Sequence, residues 1–206
     1  MVIETKCTYF ILSTSYFILA YMLYTRKGDG GTTKTFGCDQ RVSKSSAIAE
    51  ALGSLDEINS FLGLLKLKAG DAIWELPEQK LKVADTVNRI QQDLFIVQAE
   101  LAGAEKTIVE DKVKWLESII DGIEKTLPPI TTFFVSGGTE LAALSDVCRT
   151  IVRRAERRVV AVQEEGTRPV GEFTRAYLNR LSSVFYAFAR EANHVANIVE
   201  QPPRYE

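Results

Sequence analysis

The residues able to do chemistry concentrate in three short segments. The densest is 149–158, RTIVRRAERR, where five arginines and one glutamate stand within ten residues. At about 100° per residue, Arg149, Arg153, Glu156 and Arg157 share one helix face. Leu144, Val147, Cys148, Ile151, Val152, Ala155 and Val159 form an apolar arc on the other side. Guanidinium groups at this density repel one another unless anions lie among them, and their planar paired donors suit phosphate oxygens. The plainer alternative is a solvated basic face or a subunit contact. Arg154 and Arg158 point near the apolar arc and better suit an interface or an internal ion pair.

The second segment is 25–33, TRKGDGGTT. Its glycines let successive backbone N–H groups converge on an anion, Arg26 and Lys27 add charge, and the threonines supply hydroxyls. It is no Walker loop, because GxxxxGK[ST] is absent. Taken alone, such a loop is more often a flexible turn than a phosphate cradle. Asp29 could orient a hydrated Mg²⁺ on a polyphosphate or simply cap the turn. The third segment is 177–183, YLNRLSS. Asn179, Ser183, Ala187, Arg190 and Asn193 share a polar helix face there. Asn179 could read an adenine or ribose edge, or make an inter-helix hydrogen bond.

Helices must position these segments. Residues 24–46 read as an ordered loop region. From about Ala47, the residues Ile48, Ala51, Leu52, Leu55, Ile58, Asn59, Leu62 and Leu65 recur at helical spacing, and Gly70-Asp71 closes the helix. A second helix is expected from Pro77 to about Gly103, a third from Val109 to Leu127 before Pro128-Pro129. Ile130–Val135 is β-prone but short. Thr139 is a plausible N-cap for a fourth helix to about Glu165, and a fifth spans about Val170 to Ile198. The fold class is all-α, a five-helix up-and-down bundle.

Composition bounds the rest. A chain of 206 residues suits one domain with a sizeable core. A net charge of −2 gives no global attraction to nucleic acid or an anionic membrane. Cys7, Cys38 and Cys148 are far apart, and with the single His194 they complete no metal spacing, which points to a reducing compartment, most simply cytoplasm. Residues 1–21 differ from the rest. From Cys7 to Leu23 there is no charge, a stretch at the short edge for a membrane span. A signal peptide, a membrane anchor or a packed extra element is weighed against translation beginning at Met22, which is the preferred reading, with a domain over 22–200.

In this order, the segments resemble the PduO-type ATP:cob(I)alamin adenosyltransferases. The resemblance rests on Thr25 to Thr33, on GSLDEIN at 53–59, on Gly137-Gly138-Thr139, on Arg149 to Arg157, and on Tyr177 to Ser182. It covers about residues 22 to 194. It implies a five-helix, ferritin-like bundle forming a homotrimer, with active sites between adjacent subunits. The reaction implied is transfer of the 5′-deoxyadenosyl group of ATP to the cobalt of cob(I)alamin, with Mg²⁺ accompanying ATP. By the same resemblance, Thr25, Arg26, Gly28, Asp29, Gly31, Thr33 and Lys44 hold the triphosphate with Arg153 and Glu156, and Asn179 touches the nucleotide. Asp56 pairs with Arg149 across the subunit interface, and Phe133 sits beside the corrin, displacing its lower axial ligand. A reductase and an adenosylcobalamin-dependent enzyme are implied as partners; nucleic acid and membrane are not.

Departures from the pattern are Ser136, where relatives often carry proline, and Ile48 and Leu52, which replace an arginine and a tyrosine. Ser136 is expected to loosen its loop and Ile48 to remove a charge contact near the nucleotide. Two other classes stay in view. One is a non-catalytic ATP- or corrinoid-binding bundle acting in delivery. The other is a structural bundle whose arginines serve oligomer contacts.

Overall fold

The computed structural model describes residues 24–35 and 40–205. The expectations for residues 1–21, for Met22 as a start, and for Cys7 and Cys38 lie outside the described residues. Among the described residues, five helices carry the fold: α1 (Ala47–Ala69), α2 (Val83–Ala102), α3 (Glu110–Glu124), α4 (Glu140–Glu164) and α5 (Glu172–Val195). Two short hairpins accompany them. β1 (Thr32–Lys34) pairs antiparallel with β2 (Arg41–Ser43), Thr33 opposite Val42. β3 (Ile73–Glu75) pairs with β4 (Lys80–Lys82), Trp74 opposite Leu81.

The helix ends follow their local chemistry. The Ser46 hydroxyl accepts from the Ala49 N–H, and the Thr139 hydroxyl from the Ala142 N–H, each satisfying a donor that the helix itself leaves open. Gly103, at φ +98, ends α2 in the left-handed conformation while its N–H reaches the Glu100 carbonyl. α5 starts without a side-chain cap of its own. Glu100 supplies the acceptor instead, taking the Gly171 N–H at 2.6 Å.

One expected boundary fails. Pro77 does not open α2; it lies between β3 and β4, and the helix begins at Val83. The strand signal is the alternation that buries Trp74 and Leu81 while Ile73, Glu75, Lys80 and Lys82 face outward. Trp74 packs edge-on against Phe188 of α5 with ring centroids 5.0 Å apart. The hairpin thus closes one end of the core.

α4 lies against both α5 and α1, α1 against α2, and α3 against α5. α2 meets α3 through the Lys112–Asp93 ion pair and through Arg89, whose guanidinium stands 3.8 Å from the Trp115 ring centre. Going round the bundle, the order is α1, α2, α3, α5, α4. The chain from α3 to α4 therefore crosses over rather than joining neighbours. That crossover, residues 125–139, carries Phe133. α4 is tied to α1 by Arg154 with Glu57 and by Arg158 with Glu50 at 3.7 Å, the internal pairs expected from their place on the helix. Ile48 is 4% exposed and belongs to the core.

Candidate functional site

The arginine face of α4 opens onto two concavities. The larger, about 740 Å³, is lined by the crossover residues Ile130–Gly137, by Asp146, Arg149 and Arg153 of α4, and by Ser183, Tyr186 and Arg190 of α5. The smaller, about 470 Å³, is walled by Arg153, Glu156, Arg157, Val160 and Glu164 with Asn179. Arg153 belongs to both. The one-face arrangement read from the sequence is therefore real, and the structure divides that face between two chambers with a shared guanidinium.

In the larger chamber Phe133 is 80% exposed, an aromatic ring with almost no packing of its own. In the same chamber, Arg149 donates through Nε to Asp146 one turn earlier, at 3.0 Å. Asp56 does not approach Arg149 within this chain. It lies at a separate shallow concavity with Asn59, Ser60, Lys66, Asn88 and Phe95. Tyr186 stands in the large chamber with its phenol held above the ordinary range, by burial first, with the Glu200 and Asp146 carboxylates adding and Arg190 and Arg149 opposing. It therefore presents a neutral hydroxyl on an apolar ring.

In the smaller chamber the Asn179 amide donates to Glu156 Oε1 at 3.0 Å, and its carbonyl accepts from Arg180 at 2.6 Å. Arg180 in turn reaches Glu117 at 2.9 Å. The inter-helix hydrogen bond weighed for Asn179 is thus present. One amide hydrogen still remains beyond the one given to Glu156.

The glycine loop is built as a tight fold. Asp29 N–H reaches the Arg26 carbonyl, Gly31 N–H the Gly28 carbonyl, and Lys44 N–H the Gly31 carbonyl at 2.9 Å. Gly31 has φ +74, which glycine adopts freely; Arg26 at φ +57 does not have that freedom and carries strain. The Lys44 ammonium lies over Gly28, where an added β-carbon would come within 3.1 Å of Nζ. Lys44 and the loop are therefore together, as expected. Arg41, which sequence reasoning passed over, locks the turn by donating to the Thr32 hydroxyl and carbonyl, each at 2.8 Å, and to the Lys27 carbonyl. Thr25, Arg26, Gly28, Asp29, Gly31 and Thr33 line neither chamber of the same chain.

The polar face drawn on α5 proves half internal. Asn179 and Ser183 are exposed, whereas Arg190 and Asn193 are each 4% exposed. Asn193 donates to the Gly137 carbonyl at 2.9 Å and accepts from the Thr139 N–H at 3.0 Å. With that clamp, and with Val135 N–H bonded to the Gln201 carbonyl at 2.9 Å, the crossover is fastened on both sides of Ser136. The looseness expected from the missing proline is opposed there.

Among the described residues, no cysteine or histidine is placed to act as a nucleophile in either chamber. Burial raises the Cys148 thiol to about 12, so it is neutral and unreactive near pH 7, and His194 is exposed at the end of α5. Among the described residues no three His, Cys, Asp or Glu side chains gather into a metal cage. No described helix is long and apolar enough to cross a membrane.

Known proteins are similar to this chain in sequence and fold. A family model described as cobalamin adenosyltransferase matches residues 23–192. A corrinoid adenosyltransferase of Bacillus subtilis (strain 168) is 36% identical over 173 residues, covering 83% of this chain and 86% of the relative. The corrinoid adenosyltransferase PduO of Salmonella typhimurium is also 36% identical, over 87% of this chain but 53% of that longer protein. Among solved structures, a variant PduO-type ATP:corrinoid adenosyltransferase from Lactobacillus reuteri, complexed with cobalamin and ATP, matches with a TM-score of 0.78. It is 31% identical and covers 89% of this chain and 97% of that one.

Proposed function

This chain belongs to the cobalamin adenosyltransferase family, and we propose that it transfers the 5′-deoxyadenosyl group of ATP to the cobalt of cob(I)alamin, releasing triphosphate. The observation that carries the reading is Arg153, standing in the wall between the chamber of Phe133 and the chamber of Glu156 and Asn179. Cobalt and the 5′-carbon must meet where corrin and nucleotide adjoin. A guanidinium at that boundary lies where charge develops on the leaving group.

The chemistry asks for little proton transfer. The Co(I) lone pair attacks the 5′-carbon, a cobalt–carbon bond forms, and the carbon–oxygen bond breaks with its electron pair leaving on triphosphate. Donors aimed at that oxygen lower the barrier, by about 3 kcal/mol for one well-placed donor in comparable sites. Arg153 takes that role, with Thr25, Arg26, Gly28, Asp29, Gly31, Thr33 and Lys44 holding the triphosphate. Glu156 and Asn179 orient the nucleoside. Phe133 presses on the corrin face, displacing the lower axial ligand and excluding water.

The loop lines neither chamber of its own chain, which fits a site completed by a neighbouring subunit. A homotrimer supplies the loop of one protomer to the arginine face of the next, with Asp56 and Arg149 pairing across the seam. The surface near Asp56 suits such a contact, since Phe95 in the same concavity is 58% exposed. Mg²⁺ fits as a hydrated ion on the polyphosphate beside Asp29, because it keeps much of its water and asks few carboxylates of the protein. It would offset phosphate charge. A reductase supplying Co(I) and an enzyme consuming adenosylcobalamin complete the partners.

The test is direct. Purified protein, ATP, Mg²⁺ and chemically reduced cobalamin should give the visible spectrum of a cobalt–carbon product. ATP binding with no such product would leave a carrier in place of the enzyme.

A further inference from the structure

We infer that Glu200 and Arg190 are positioning residues for Phe133, and that the segment after α5 works as a strap across the crossover. The inference rests on the larger chamber receiving the corrin. Phe133 is 80% exposed, so its own side chain does not hold it in place. Its position must come from its neighbours along the chain.

Those neighbours converge on one buried guanidinium. Arg190 donates through Nε to Glu200 Oε2 at 3.0 Å and through Nη2 to the Pro128 carbonyl at 3.2 Å. Its plane lies over the Phe134 ring, 5.2 Å from the centre. The side chains of Arg190 and Glu200 are 5% and 17% exposed, so this pair is shielded from water. One residue beyond Glu200, the Gln201 carbonyl accepts the Val135 N–H at 2.9 Å. The strap therefore touches the crossover at Val135 directly and at Pro128 and Phe134 through Arg190. Phe133 lies between those points.

A shielded ion pair that loses one partner leaves a charge without compensation. Removing the Glu200 carboxylate should make Arg190 seek water or another acceptor, and release Pro128 and Phe134. Small misplacements of a positioning group cost large factors in rate. Nothing in this network reaches the chamber of Glu156 and Asn179.

The experiment compares the full chain with Glu200→Ala and Glu200→Gln. Amide hydrogen exchange, without ligands, should quicken about 10-fold or more across residues 130–136 in Glu200→Ala while α1 and α2 keep their protection. The KM for cob(I)alamin should rise about 10-fold with the KM for ATP unchanged. Glu200→Gln, which keeps an acceptor oxygen, should fall between wild type and Glu200→Ala in both measurements. Unchanged exchange at Val135 would overturn the strap whatever the activity. Faster exchange with both KM values moving together would overturn the positioning role. A wild-type protein making no adenosylcobalamin would sink the proposed reaction and leave the exchange result standing.

Discussion

A β-carbon on Gly138 would fall 2.8 Å from the carboxamide carbon of Asn193 and nearer still to its Oδ1. The same carboxamide bonds the residues on either side, Gly137 and Thr139. Gly138 also has φ +102, in a region that side chains rarely enter. Glycine is thus required there twice, for its backbone and for its lack of a side chain, and α4 begins immediately afterwards.

Gly138→Ala should cost about 3 kcal/mol, combining backbone strain with the displaced Asn193 bonds. Asn193→Ala alone should cost about 2 kcal/mol by leaving buried groups unpaired. The double variant should cost less than the sum, since the collision is gone and the strain remains. Denaturant midpoints of the four proteins measure this, and strict additivity would rule the contact out.

Arg153→Ala should lower kcat/KM for ATP about 100-fold while leaving stability within about 0.5 kcal/mol, because the side chain is exposed. Arg153→Lys should recover little, as a point charge does not reproduce a planar fork. Steady-state kinetics beside a thermal melt separates the two effects.

Phe133→Ala should spare ATP binding and fold stability and lose conversion when the reaction starts from cob(II)alamin with a reductant. Full activity from that starting point would show that the ring is no wedge.

Asp56→Asn and Arg149→Lys should each be nearly inactive. Mixed after dissociation and reassembled in equal amounts, they should regain about a quarter of wild-type activity, since about a quarter of the seams then carry both native residues. A mixture no better than its parts would place the two residues in separate roles.

The Cys148 thiol, raised by burial from an ordinary value of 9.0 to about 12, links stability to alkaline pH. The folded value lies above the unfolded one, so its contribution is complete below pH 9 and is lost as pH rises toward 12. The decline should approach about 4 kcal/mol and be missing in Cys148→Ala. Urea titrations at pH 8 and pH 10.5 test it, and the two proteins should diverge only at the higher pH.

Much of this was legible in the sequence because it depends on period. The helical stripes of α1, α4 and α5 and the caps at Ser46 and Thr139 act over a few residues. The same holds for the pointing of Arg154 and Arg158 toward α1. Pro77 misled because a proline also fits a hairpin turn, and β3 and β4 are three residues each, too short for alternation to outweigh that signal. Arg41 escaped because its partners, Lys27 and Thr32, are backbone and hydroxyl groups that leave no charge pattern. The burial of Arg190 and Asn193 could not be read from a wheel. It is created by the crossover and the strap, which are remote in sequence and have no period.

Arg153 has a last consequence. A guanidinium common to two chambers cannot be ordered for one occupant without being ordered for the other. Nucleotide and corrin are then energetically linked, each altering the grip on its companion by the same factor whichever arrives first. A substitution at Arg153 itself is therefore felt by both affinities, whereas one confined to a single chamber retunes its own occupant and leaves the other grip as it was.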